Sequence, residues 1–149
     1  MSVEKKINIA FLAYSIDGIG GVYSYARGLI LEICRHPDLF NIYLIISNTV
    51  KLENINLASD VTVIRSAWIN KHFLIRFLWE NTFLPWLLKK KKIDILHGMD
   101  YSIPLIPTVF KKITTFHDAI LVTQFDGRPL IKNAIFRFLF KNYLKASNI

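Results

Sequence analysis

The run Ile7-Asn8-Ile9-Ala10-Phe11-Leu12-Ala13-Tyr14 is apolar at nearly every position, which predicts a strand buried on both faces, as in a parallel sheet. The stretch Ser15 to Gly21 then holds three of the six glycines, so the chain is expected to turn there. Beyond it Val22, Tyr25, Ala26, Leu29, Ile30 and Ile33 recur at helical spacing up to His36-Pro37. Strand, glycine loop and helix thus follow one another. Asn41 to Ser47 and Val61 to Arg65 predict two further strands, joined by an Asn-rich polar stretch without convincing period. From Asn70 to Lys92 the pattern is helical and very apolar, and Pro85 is expected to kink or divide it. Ile93 to His97 and Ile113 to His117 predict two short strands, each ending at a histidine. Pro129 to Lys145 reads as a last amphipathic helix, carrying Ile131, Ile135, Phe138, Leu139 and Tyr143, and Ala146 to Ile149 reads as a strand beginning.

Strands alternating with helices predict an α/β fold, a Rossmann-like parallel sheet with helices on both faces. Ligands of such sheets sit outside the carboxyl ends of the strands. Three polar clusters fall there: the glycine loop, His97-Gly98-Met99-Asp100-Tyr101, and His117-Asp118. With 149 residues, 52% of them hydrophobic, the chain is expected to form a single domain over residues 1–149, and disorder and low complexity are excluded. The lone cysteine, Cys34, excludes an internal disulfide, and no Cys/His cluster has zinc spacing. A reducing, cytoplasmic setting without a metal ion is therefore expected. Lys5 and Lys6 before the first apolar run resemble the start of a signal peptide, yet no small-residue cleavage site follows. No apolar run approaches the about 20 residues that span a bilayer.

The 19 Lys and Arg against 11 Asp and Glu leave a net charge of +8, which calls for an anionic partner: phosphate, an acidic lipid surface or nucleic acid. Nucleic acid is disfavoured, because the aromatics are not interleaved with the basic residues and no recognised module is present. Lys89, Lys90, Lys91 and Lys92 close the apolar segment, where cations complement a helix dipole. With Trp79 and Trp86 upstream, they also suit contact with an anionic membrane, Phe73 to Leu88 supplying apolar surface beside them. Asp17 to Val22 precedes a helix and can either cradle a phosphate or simply make a tight turn. Tyr23 stands where a dinucleotide fingerprint needs glycine, and Ser47-Asn48 where it needs an acid, which disfavours a nucleotide-dependent oxidoreductase. His117, followed by Asp118, can donate to a sugar hydroxyl, act as acid or base, or merely cap its strand. His97 has the same placement, with Asp100 three residues on; His36 and His72 have nothing to distinguish them.

Together, Gly20-Gly21-Val22 opening the first helix, Leu78-Trp79-Glu80 with Leu84-Pro85 before a basic turn, Ile93 to His97, and Thr115-Phe116-His117-Asp118 form a series. In order and spacing it resembles, over nearly the whole chain, the N-terminal acceptor-side domain of GT-B fold retaining glycosyltransferases of family 4. The resemblance implies half of a GT-B fold, facing a second domain that holds a nucleotide-sugar. It implies transfer of that sugar to a glycan or lipid-linked acceptor, as in polysaccharide biosynthesis, with no cofactor and no metal ion. Gly20, Gly21 and Val22 would approach the donor phosphates, and His117 would be catalytic, contacting the transferred sugar with Asp118 beside it. Tyr23, His97, Asp100 and Tyr101 would border the acceptor. The family's C-terminal domain has no counterpart here, and Ala119 to Arg128 departs from its usual proline-centred loop. The expectation is thus a domain truncated at its C-terminal end, inactive alone and completed by a separate donor domain. The alternative is a non-catalytic α/β module of the same shape that binds a phosphate-bearing ligand or a membrane surface.

Overall fold

The computed structural model describes residues 5–14, 16–53, 55, 57, 60–117 and 130–147. Strands β1 (Ile7–Leu12), β2 (Phe40–Ser47), β3 (Thr62–Ser66), β4 (Ile95–Gly98) and β5 (Lys111–Thr114) form one sheet in the order β3-β2-β1-β4-β5. Every pairing is parallel. Helix α1 (Gly21–Cys34) follows β1, while α2 (Phe73–Asn81) and α3 (Phe83–Lys90) connect β3 to β4. Helix α4 (Leu130–Ala146) comes last. This is the α/β, Rossmann-like arrangement expected from the alternation of elements.

β1 is central, and that position explains its unbroken apolar character. Ile9, Phe11 and Ala13 pack with Ile42, Leu44 and Ile46 beneath Ala26 and Ile30 of α1. Ala10, Leu12 and Tyr14 face the other side, against Leu84 and Leu88 of α3 and Trp79 of α2. Each fully buried Leu or Ile contributes about 1.5–3 kcal/mol, so both layers are needed to hold the strand. A third cluster, Ile103, Leu139 and Tyr143 with Phe77, Leu105 and Phe116, fastens α4 to α2 and to the segments after β4 and β5. That contact brings α4 beside the carboxyl edge.

Several element boundaries differ from the sequence expectation. The long apolar helix does divide, but at Thr82, whose N–H and hydroxyl both donate to the Leu78 carbonyl, at 3.0 and 2.7 Å. Pro85 becomes the third residue of α3, where its missing N–H is one that has no partner in the helix anyway. β4 runs through His97 to Gly98, and β5 ends at Thr114, so neither strand stops at its histidine. Ala146, read as the start of a strand, is the last residue of α4. Asp118 and the stretch to Arg128 lie outside the described residues. Among those described, no helix is long and apolar enough to cross a membrane.

The chain folds sharply back after β4. Tyr101 has φ 56°, the Ser102 N–H donates to the Asp100 carbonyl at 2.6 Å, and the turn passes directly over Gly98. A side chain at Gly98 would strike the Ser102 carbonyl oxygen and come within 2.8 Å of Ile103 Cγ2. Gly98→Ala is therefore expected to cost about 1–3 kcal/mol, read as a lower urea midpoint. An unchanged midpoint would show that the turn yields at no cost.

Candidate functional site

In the order β3-β2-β1-β4-β5 the winding reverses between β1 and β4, which opens a crevice at their carboxyl ends. One wall is the loop from β1 to α1. Arg27 reaches back from α1 to donate from Nη1 to the carbonyls of Ile16 and Gly18, at 2.9 and 2.8 Å. The Asp17 carboxylate accepts from the Lys51 N–H at 3.0 Å, holding the outer side of the same loop. Tyr23 folds over Gly18 so closely that a Cβ there would lie 2.7 Å from its ring, a contact only glycine permits. Gly20 caps α1 with φ 119°, a backbone conformation that L side chains rarely adopt. Gly20 has no side chain with which to cap α1, and no acid occupies the helix's first turn. Its first amides, with the positive end of the helix dipole, are left for solvent or an anion.

The other wall follows β4 and β5. His117 Nε2 lies 2.9 Å from the Met99 carbonyl, so this nitrogen donates and Nδ1 is the ring's remaining hydrogen-bonding atom. The imidazole stands edge-on to Tyr25 at 5.4 Å and to Tyr101 at 6.1 Å. Phe116 continues the aromatic series to Phe140 of α4 at 4.5 Å. His117 and the glycine loop therefore share one edge of the sheet, joined through Tyr25, one turn along α1. Val22, Tyr23, Met99 and Asp100 line a small hollow at the base of the crevice.

Tyr23 lines the hollow, and it is Tyr25 that stands against His117. Two residues along a helix are about 200° apart, so these tyrosines occupy opposite faces of α1. His97 does not end its strand as expected. It lies inside β4, buried against Phe11, with Nε2 2.9 Å from the Thr115 hydroxyl. It supports Thr115, whose Oγ1 is 3.5 Å from the Tyr25 hydroxyl, rather than lining the crevice. Burial pushes its pKa below the usual histidine value. An unfolded chain then binds more protons than the folded one between the lowered value and about 6.5, so stability is lost as pH falls through that window. The stability difference between the native chain and His97→Gln should accordingly change between neutral and mildly acidic pH. Urea midpoints that differ by the same amount at both would contradict this.

One group that carries no role in the sequence reading lies directly beneath the crevice. Glu80 of α2 is 1% exposed. Its Oε1 accepts from the Tyr14 hydroxyl at 2.9 Å and its Oε2 from the Ser102 hydroxyl at 2.7 Å, with Arg76 Nε 3.5 Å away. Tyr14 follows β1 and Ser102 follows β4, so one carboxyl group ties together the two segments that bound the crevice. Burial raises its pKa, against the opposing pull of the Ser102 hydroxyl, Arg76 and the Tyr14 hydroxyl. The available signal was an acid next to Trp79 and four residues after Arg76, on a helix that is apolar apart from these two and Asn81.

Lys89 to Lys92 end α3 at the opposite, amino edge of the sheet, away from this site. Among the described residues no group of three or more His, Cys, Asp or Glu gathers as metal ligands would. Comparison with family models, curated proteins and solved structures finds no match for the chain.

Proposed function

We propose that the chain is the acceptor-side half of a retaining, metal-independent glycosyltransferase of GT-B architecture, moving a sugar from a nucleotide-sugar to a glycan or lipid-linked acceptor. One observation carries the reading: His117, between Tyr25 and Tyr101, reaches through Tyr25, one turn into α1, toward that helix's N-terminus at the winding reversal of the sheet. A group suited to a sugar hydroxyl and a group suited to a phosphate border one crevice.

Transfer breaks the bond between the anomeric carbon and the diphosphate oxygen and forms one to the acceptor oxygen, whose proton passes to the departing diphosphate. Negative charge gathers on the departing phosphate. The first amides of α1 and its dipole oppose that charge, and the openness around Gly20 and Gly21 lets the phosphate come close to the backbone. Since Nε2 of His117 is committed to Met99, Nδ1 receives the sugar hydroxyl, and the flanking tyrosines hold the ring plane. Glu80 sets the spacing of the two walls from below.

The donor is held by a separate domain facing this crevice, so the test is reconstitution. Nucleotide-sugars are offered to residues 1–149 with and without a supplied GT-B donor domain. Transfer is expected only in the combination. Robust transfer by residues 1–149 alone would overturn the requirement for a separate donor domain. Phosphate-ligand binding with no transfer in any combination would favour the non-catalytic module, which the uncapped α1 terminus also suits.

A further inference from the structure

A parallel sheet gathers every residue that precedes a strand at one end. Lys5 and Lys6 precede β1, Lys89 to Lys92 lead into β4, and Lys111 opens β5. These three strands are neighbours, so seven lysines crowd the amino edge within about 10 Å of strand spacing. The geometry there is fixed by the backbone: Asn8 Nδ2 donates to the Lys92 carbonyl at 2.7 Å, and the Lys111 N–H to the Asp94 carbonyl at 2.9 Å. Asp94 is the acid in their midst. Its carboxylate is already engaged by the Asn8 N–H at 2.9 Å and Lys5 at 3.8 Å.

Apolar groups are exposed among these charges. Lys5, Lys6 and Lys111 rim a shallow hollow whose lining includes Ile7, Ile93 and Val109, and Val109 is 77% exposed. Trp86 of α3, 53% exposed, packs on Phe83 and carries the Lys90 ammonium 5.4 Å above its ring. A soluble phosphate would use the lysines and leave the indole and valine in water. A bilayer with acidic headgroups satisfies both, because aromatic and aliphatic groups enter the headgroup boundary while lysines remain on the anions.

We propose that this amino edge is a docking surface for an anionic lipid bilayer, with Trp86 and Val109 at headgroup level and the surrounding lysines on acidic headgroups. The carboxyl-edge crevice lies at the opposite end of the same strands, so of the two proposed acceptor classes this docked orientation suits the glycan, reached from the aqueous side. Within this run it is Lys90 that meets an exposed aromatic of α3, Trp86. The apolar residues of α2 lie near the other edge, where Glu80 joins Tyr14 and Ser102.

The experiment is vesicle sedimentation of the chain with phosphatidylcholine alone or mixed with phosphatidylglycerol, which needs no sugar donor and so stands or falls apart from the transfer reading. Binding is expected only to the acidic vesicles, and weaker by about tenfold or more when salt rises well above about 0.1 M. Trp68, 54% exposed and just beyond β3 at the other edge, is an internal control. With brominated acyl chains, Trp86 should be quenched in the Trp68→Phe/Trp79→Phe variant, and Trp68 should stay bright in Trp79→Phe/Trp86→Phe. Should those variants unfold, the exposed triple change Lys5→Gln/Lys6→Gln/Lys111→Gln reads the same surface and should weaken vesicle binding by about tenfold. Quenching of Trp68 instead of Trp86, equal binding to neutral vesicles, salt-independent binding or no binding would each overturn the proposal. So would tighter binding to double-stranded DNA than to acidic vesicles at the same salt.

Discussion

Replacing Glu80 by alanine is expected to destabilise the chain by about 3–5 kcal/mol, the cost of removing one partner from a buried, hydrogen-bonded charge network. The Tyr14 and Ser102 hydroxyls would lose their acceptor in a space from which water is excluded, and Arg76 would lose its carboxylate. Against a total stability of about 5–15 kcal/mol for a domain of this size, that loss is large. The crevice should suffer with it, because the segments after β1 and β4 would no longer be held to a common point. Urea unfolding gives the first effect and loss of ligand affinity the second.

Glu80→Gln separates shape from charge. Glutamine keeps an acceptor for one hydroxyl, and the other can rotate to accept from the amide. Its cost should stay within about 1 kcal/mol. The pH dependence carries the sign. With its pKa raised by burial, the native carboxyl contributes stability that is fully present below about 4.5 and lost as pH rises through the folded value. Glutamine has no charged form to desolvate. Glu80→Gln should therefore gain stability relative to the native chain as pH rises. A gain on acidification would show that the carboxylate, and not the neutral acid, is the form the network favours.

On the proposed transfer reading, His117→Ala in the chain combined with a donor domain is expected to lower turnover about 10²-fold or more, the scale of one lost acid–base or charge-stabilising group. kcat should fall more than KM rises, since the contact with the sugar matters most as charge separates. The ring is half-buried and its removal leaves only the Met99 carbonyl without a donor, so the unfolding midpoint should move little. Tyr25→Phe keeps the edge-on ring and discards only a long contact to Thr115, and it should retain most activity. Full activity of His117→Ala would remove His117 from the chemistry. A loss matched by an equal loss of folded protein would make it a structural residue.

Much of the fold is written in local pattern. The unbroken apolar run of β1 marks a strand covered on both faces, and it lies between β2 and β4 with helices above and below. β5 is less legible because Lys111 and Lys112 open it. Lys112 is buried with its ammonium donating to the carbonyls of Pro104 and Ile106, at 3.1 and 3.0 Å, partners that no pattern of residue types announces. The histidines mislead for a related reason. A strand ends where its neighbour stops pairing, and β4 pairs with β1 as far as Gly98.

The sequence by itself therefore determined the α/β class, the order of strands and helices along the chain, the glycine turn after β1 and the location of polar clusters after strands. These follow from burial periodicity and backbone sterics, which act over a few residues. Only the tertiary structure decided that Tyr25 and not Tyr23 meets His117, that His97 faces inward, that Glu80 joins Tyr14 and Ser102, and that the lysines before β1, β4 and β5 share one edge. Those meetings join residues from separate elements. They depend on which strand lies beside which, and a chain of many short apolar strands is compatible with several such orders until its side chains pack.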